Sequence, residues 1–141
     1  MDQETRKTII LDNYEHPFHK GLIDDNNYIR INENSETCID EIDLMVKVED
    51  GKIIDAYFDG EACAICTSST SLMLQQIIGK SIEEAEKIYT NFKNMINEEH
   101  YDEDALEELV VYDNIAKQPN RKKCALLPWM GFEKVIKELK K

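Results

Sequence analysis

The feature that most constrains this chain is the stretch Gly60-Glu61-Ala62-Cys63-Ala64-Ile65-Cys66-Thr67-Ser68-Ser69-Thr70-Ser71-Leu72-Met73-Leu74. Residues 52–59 before it alternate and are rich in β-branched and aromatic side chains, which reads as a strand. After it the spacing of Ile65, Leu72 and Ile77 or Ile78 reads as a helix reaching about Ile78, with Gly79 as the C-cap residue. A strand that ends at Gly60 and turns directly into a helix leaves Cys63 at the helix N-terminus. There the free N–H groups and the dipole favour an anion, and a thiolate is both nucleophile and metal ligand. The run of residues 67–71 is small enough for another backbone or a cluster to come close. A second reading makes Cys63 a small buried residue and the serines turn caps; at this point both stand.

Upstream, residues 5–14 predict a short helix, ended before Pro17 because a residue preceding proline avoids the helical region. His16 and His19 lie in a loop without acidic or thiol neighbours, so solvation is expected of them rather than metal binding. Three strands follow: residues 28–32, then Ile42, Leu44, Val46 and Val48 in alternation, then the strand already described. Asp50-Gly51 supplies the hairpin turn between the last two. Downstream, Ser81-Ile82-Glu83-Glu84 is a capping box opening a helix with Ala85, Ile88 or Tyr89, Phe92 and Met95 on its stripe. Residues 98–108 are strongly acidic and read as a solvated face leading into a short helical piece around Leu106, Leu109 and Val110. Gln118-Pro119-Asn120 reads as a break, with Cys124 just before a final helix that carries Leu126, Phe132, Val135 or Ile136 and Leu139. Pro128 is expected in its first turn. Helix, three strands, then helices predicts an α+β fold: a three-stranded antiparallel sheet with helices packed on one face, in one domain over residues 1–141.

Charge narrows the function. With 141 residues and a formal net charge of -12, the chain lacks the basic footprint of a nucleic-acid or anionic-membrane binder. No apolar stretch approaches the roughly 20 residues that span a bilayer, and no signal-peptide pattern opens the chain, so the expected location is the cytoplasm. In that reducing compartment four cysteines are ligands, nucleophiles or core fillers rather than a disulfide framework.

Cys38, Cys63 and Cys124 each fall at the edge of a predicted element, where metal sites draw ligands that can converge. Asp40, two residues after Cys38, can complete a tetrahedral set for zinc, and soft thiolates also select iron–sulfur clusters. Cys66 forms a C-x-x-C pair with Cys63. A zinc ribbon needs a second such pair, and a thioredoxin-type motif needs neighbours and a βαβ pattern that are absent. Cys66 therefore reads as a small core residue or a spare thiol.

These motifs resemble the U-type iron–sulfur cluster assembly scaffolds: IscU, SufU and the N-terminal domain of NifU. Asp12-Asn13-Tyr14-Glu15-His16-Pro17 with Lys20-Gly21 is similar to their N-terminal segment. Thr37-Cys38-Ile39-Asp40 is similar to their Cys-Gly-Asp loop, and residues 58–69 to their Gly-x-Gly-Cys-Ala-Ile-Ser helix start. Residues 121–129 resemble the third-cysteine segment of the SufU branch. Lys123 before that cysteine, the insertion over residues 97–118 and the missing Leu-Pro-Pro-Val-Lys motif place the chain nearer SufU than IscU. The resemblance implies zinc, or a transient cluster of the 2Fe-2S type, on Cys38, Asp40, Cys63 and Cys124. It implies a cysteine desulfurase partner that passes persulfide sulfur to Cys124, with Arg121 and Lys123 favouring the thiolate, and iron–sulfur acceptor or assembly proteins downstream. Three positions depart from the pattern: Ile39 and Ala62 replace glycines, and Cys66 replaces a serine. If the loop needs φ > 0 at Ile39, a β-branched residue there is strained. Two rival functions are a binding module with purely structural zinc and a thiol oxidoreductase using Cys63 and Cys66.

Overall fold

The computed structural model describes residues 1–35 and 39–141. Helix α1 (Gln3–Glu15) leads into strands β1 (Ile29–Asn34), β2 (Glu41–Glu49) and β3 (Lys52–Glu61). Helices α2 (Ala64–Ile77), α3 (Ile82–Ile96) and α4 (Glu103–Leu106) follow, then a 3₁₀ segment (Glu107–Lys117) and the long helix α5 (Pro119–Leu139). The three strands form one antiparallel sheet in the order β1-β2-β3. This is the α+β architecture the patterning predicts.

The β2–β3 hairpin closes as its sequence requires. Glu49 pairs with Lys52, and Asp50 and Gly51 sit at φ 52° and 75°, the pair of positive values that a two-residue turn of this twist needs. The free edge of β3 is covered by the loop after α1: Phe58 N–H donates to the His19 carbonyl at 3.1 Å and Gly21 N–H to the Phe58 carbonyl at 2.7 Å. An edge satisfied in this way no longer templates pairing with another chain. His19 is consequently not a solvated loop residue. Its ring stacks between Phe18 and Tyr57, and its Nδ1 lies 2.8 Å from the Ala56 carbonyl.

Ile42, Leu44, Val46, Ala56 and Phe58 project from one sheet face into the core, where they meet α2 and α5. Arg30 and Asn32 both donate to the Asp43 carboxylate on the opposite face. Helix α3 has the capping box and the stripe read from its sequence, with Ala85, Ile88, Phe92 and Met95 buried. Trp129 of α5 stacks on Tyr89 and Phe92.

Two elements differ from the sequence reading. Helix α2 does not present one apolar face: every residue from Cys66 to Leu74 is buried. A helix buried on all sides over this stretch must pair its polar groups, and the hydroxyl run does so. Ser68 Oγ lies 2.5 Å from Tyr112 Oη, Ser69 Oγ donates to the Ala125 carbonyl at 2.7 Å, and Ser71 Oγ donates to Asn13 Oδ1 at 2.7 Å. Helix α5 also begins earlier than expected. Gln118-Pro119-Asn120 is its start rather than a break, because proline suits a first helical position whose N–H has no partner anyway. Cys124 therefore lies inside the helix, and Pro128 lies in the helix interior rather than in its first turn. Among the described residues, no helix is long and apolar enough to cross a membrane.

Candidate metal centre

Cys63 is the N-cap of α2, with extended backbone (φ -67°, ψ 170°) and its sulfur accepting the Cys66 N–H at 3.5 Å. The chain reaches this position through Gly60, which pairs with Ile42 at φ 139°. A Cβ at Gly60 would come within 2.1 Å of the Glu41 carbonyl oxygen. Only glycine allows both the backbone angle and the approach.

Asp40 sits at the end of the β1–β2 loop, is 2 % exposed, and faces Cys63 directly. Its Oδ1 accepts the Cys63 backbone N–H at 2.7 Å and its Oδ2 lies 3.6 Å from the Cys63 sulfur. The loop is closed behind it by the Ser35 N–H donating to the Asp40 carbonyl at 3.0 Å. Cys124 comes from the second turn of α5, which is held against α2 by the Ser69–Ala125 bond one residue away. The ligand atoms of Asp40, Cys63 and Cys124 all lie within 4.8 Å of one another.

Two thiols and one carboxylate at this spacing fit zinc. With Zn–S near 2.3 Å, tetrahedral ligand atoms stand about 3.8 Å apart; here the Asp40 Oδ2–Cys63 sulfur distance is 3.6 Å and all three donors lie within 4.8 Å of one another. Cys38, the remaining predicted ligand, falls outside the described residues. His16 and His19 are not in the converging group. Cys66 is fully buried in the core, which agrees with its reading as a small core residue.

The electrostatics of Cys124 differ from expectation. Arg121 and Lys123 are exposed at the surface. Burial pushes the Cys124 thiol well above its ordinary range, and the neighbouring Asp40 and Cys63 add to the shift. A metal ion reverses that balance, since a coordinated thiol is held deprotonated. Burial likewise raises the Cys66 thiol.

Sequence reasoning missed the frame that holds the centre. Besides the Ser69 link, Ser71 accepts the Phe18 N–H at 2.8 Å and, as donor to Asn13, ties α1 to α2. The available signal was the unbroken hydroxyl run over residues 67–71, too long for turn capping alone.

Comparison with known proteins identifies the family. The family described as NifU-like N terminal domain matches residues 5–125. The chain is 37% identical over 131 residues to the zinc-dependent sulfurtransferase SufU of Bacillus subtilis, covering 92% of this chain and 88% of that one. It is 36% identical over 130 residues to the iron–sulfur cluster assembly scaffold protein IscU of Thermotoga maritima, covering 92% and 91%. Among solved structures, FiSufU of Fervidobacterium islandicum superposes with a TM-score of 0.78 at 32% identity, over 89% of this chain and 91% of that one. A NifU-like N-terminal protein from Brucella abortus, at 18% identity and TM-score 0.86 over 99% and 98%, shares the fold. The chain belongs to the NifU-like N-terminal domain family.

Proposed function

We propose that this protein works in iron–sulfur cluster assembly as a single cytoplasmic domain. Cys38, Asp40, Cys63 and Cys124 hold zinc or a transient cluster, and Cys124 accepts sulfur from a cysteine desulfurase. The observation that carries the reading is the convergence of Asp40, Cys63 and Cys124 from three separate elements on one point. Likeness over nearly the whole chain to a zinc-dependent sulfurtransferase and to a cluster assembly scaffold supports it. Bound metal supplies one chemistry, the deprotonation of buried thiols. In the transfer step the Cys124 thiolate attacks the outer sulfur of the partner's persulfide. A sulfur–sulfur bond forms at Cys124 as the partner's cysteine leaves as thiolate.

The test combines metal content with persulfide mapping by mass spectrometry after incubation with a cysteine desulfurase and cysteine. Cys38→Ser, Cys63→Ser and Cys124→Ser should each sharply lower bound zinc, because a neutral hydroxyl is a poor ligand. Cys66→Ser should not. The extra sulfur should appear on Cys124 in the wild type and be missing from Cys124→Ser. Stoichiometric sulfur on Cys66, or zinc loss confined to Cys66→Ser, would instead support a thiol oxidoreductase.

A further inference from the structure

Cys66 takes no part in the proposed function, yet it stands one helical turn from a ligand. Cys63 and Cys66 occupy the N-cap and third positions of α2, and the Cys63 sulfur already leans over that turn, 3.5 Å from the Cys66 N–H. Residues so placed have Cα atoms about 5–6 Å apart, inside the span a disulfide bridges. The Cys66 thiol now rests beside Thr70. Its Cα–Cβ bond, like all in a helix, tilts toward the N-terminus, so rotation to another staggered χ1 carries the sulfur toward Cys63.

We propose that Cys63 and Cys66 form a dithiol–disulfide couple, whose oxidation withdraws Cys63 from the metal centre and releases the ion. This rests on Cys63 being a ligand, as argued above. Access orders the events: Cys63 is partly exposed whereas Cys66 and Cys124 are buried, so an oxidant meets Cys63 first. The co-reactant is a low-molecular-weight disulfide. The Cys63 thiolate attacks one of its sulfurs, forming a mixed disulfide and expelling one thiolate. Cys66 then loses its proton to that thiolate and attacks the Cys63 sulfur, expelling the second. Two electrons pass from the cysteine pair to the small disulfide, and the metal ion leaves in its original oxidation state. Cys124 competes, since its sulfur also lies within 4.8 Å of the Cys63 sulfur. Only two residues separate Cys63 from Cys66, however, so this pair stays in reach when contacts between α2 and α5 loosen.

The experiment equilibrates the zinc-loaded full chain with mixtures of oxidised and reduced glutathione. Released zinc is followed with a chromogenic chelator, and free thiols are then blocked for peptide mapping. Trypsin leaves both cysteines in residues 53–80, so the bridged peptide is unblocked and about 2 Da lighter than the reduced one. Released zinc should rise in step with that peptide. In Cys66→Ala, release should require at least about tenfold more oxidised glutathione; Cys66→Ser provides the same reading should alanine destabilise the core. Equal sensitivity of wild type and both Cys66 variants overturns the proposal, as does a bridge that maps mainly to Cys63 and Cys124. A protein that takes up no zinc overturns the metal reading itself, and the bridged peptide then decides the couple alone.

Discussion

Asp40 shows how one side chain can serve structure and chemistry together. Its carboxylate satisfies the backbone N–H of Cys63 at 2.7 Å and simultaneously stands among the candidate donors. These roles separate by substitution. Asp40→Ala leaves a part-buried N–H unpaired and should cost about 1.5–3 kcal/mol in metal-free urea melts, the range for a bond to a charged group. Asp40→Asn keeps an acceptor and should recover most of that loss. Among soft sulfurs a hard oxygen is the ligand most easily displaced. The alanine variant should therefore still hold metal through three thiolates, with altered exchange to a partner. X-ray absorption on wild type and Asp40→Ala checks this: a sulfur-only shell and identical exchange rates in both would leave Asp40 with its structural role alone. Ile39 beside it is 80% exposed, so the β-branched side chain at the family's glycine position is accommodated in solvent.

At the scale of elements, the instructive case is α5. Proline inside a helix lacks the N–H that would bond the carbonyl four residues back. For Pro128 that carbonyl belongs to Cys124, so the turn that carries Cys124 lacks one rung of the ladder that stiffens the rest of the helix. Pro128→Ala restores the donor. It should raise the melting temperature of the metal-free protein, since interior proline costs about 3 kcal/mol relative to alanine, and should weaken zinc binding by stiffening the turn that presents Cys124. A lower melting temperature in calorimetry would mean that packing of the buried Pro128 ring outweighs the recovered bond. This helix also marks where the sequence was legible and where it was not. The β2–β3 hairpin, the α3 capping box and the Cys63 cap were readable because each rests on local chemistry within four residues. The start of α5 was not, because Gln118-Pro119-Asn120 has the composition of a break, and a proline there suits the first position of a helix as well as it suits a chain break. The total burial of α2 was hidden for the same reason: its serines and threonines look polar, and their partners Asn13, Tyr112 and Ala125 are distant in sequence. Convergence of the site could be inferred from cysteines placed near element ends, but the Asp40–Cys63 bond follows only from the register that sets Glu41 opposite Glu61.

For the whole molecule, two perturbations separate the packed body from the metal centre. The first is alkaline titration of the body. Burial, helped by the hydrogen bond to Glu133, pushes the Tyr89 hydroxyl up to about 12. An unfolded tyrosine releases its proton near pH 10, so above that pH the unfolded chain binds fewer protons than the folded one. Stability contributed by Tyr89 is thus complete below about pH 10 and is lost as pH rises toward 12. Tyr28 and Tyr112 are raised in the same direction. Tyr89→Phe should accordingly flatten part of the decline in urea-melt stability over this window and leave the rest; an unchanged slope would show that neither burial nor the Glu133 contact holds the proton on Tyr89.

The second perturbation is removal of the ion. Asp40 comes from the β1–β2 loop, Cys63 from the β3–α2 junction and Cys124 from α5, so a shared metal cross-links three segments far apart in the chain. Structural zinc can contribute about 10–16 kcal/mol of binding free energy, and where no folded site exists without it that energy is folding energy. Here a core containing Leu44, Phe58, Leu72, Trp129 and Phe132, each at most 1% exposed, exists independently of the donors. The stripped protein should therefore remain folded but melt at a markedly lower temperature, by the mass-action stabilisation that ligand binding confers on the native state. The loss should also be uneven. Hydrogen exchange should quicken at the start of α2, in the Asp40 loop and in the first two turns of α5. The β2–β3 hairpin and α3 should keep their protection, because their bonds are made within the core. Calorimetry and exchange before and after chelation, with metal loss confirmed by elemental analysis, measure both effects. An identical melting curve would exclude an ion shared between the three segments, while uniform loss of protection would mean that the core cannot stand without it.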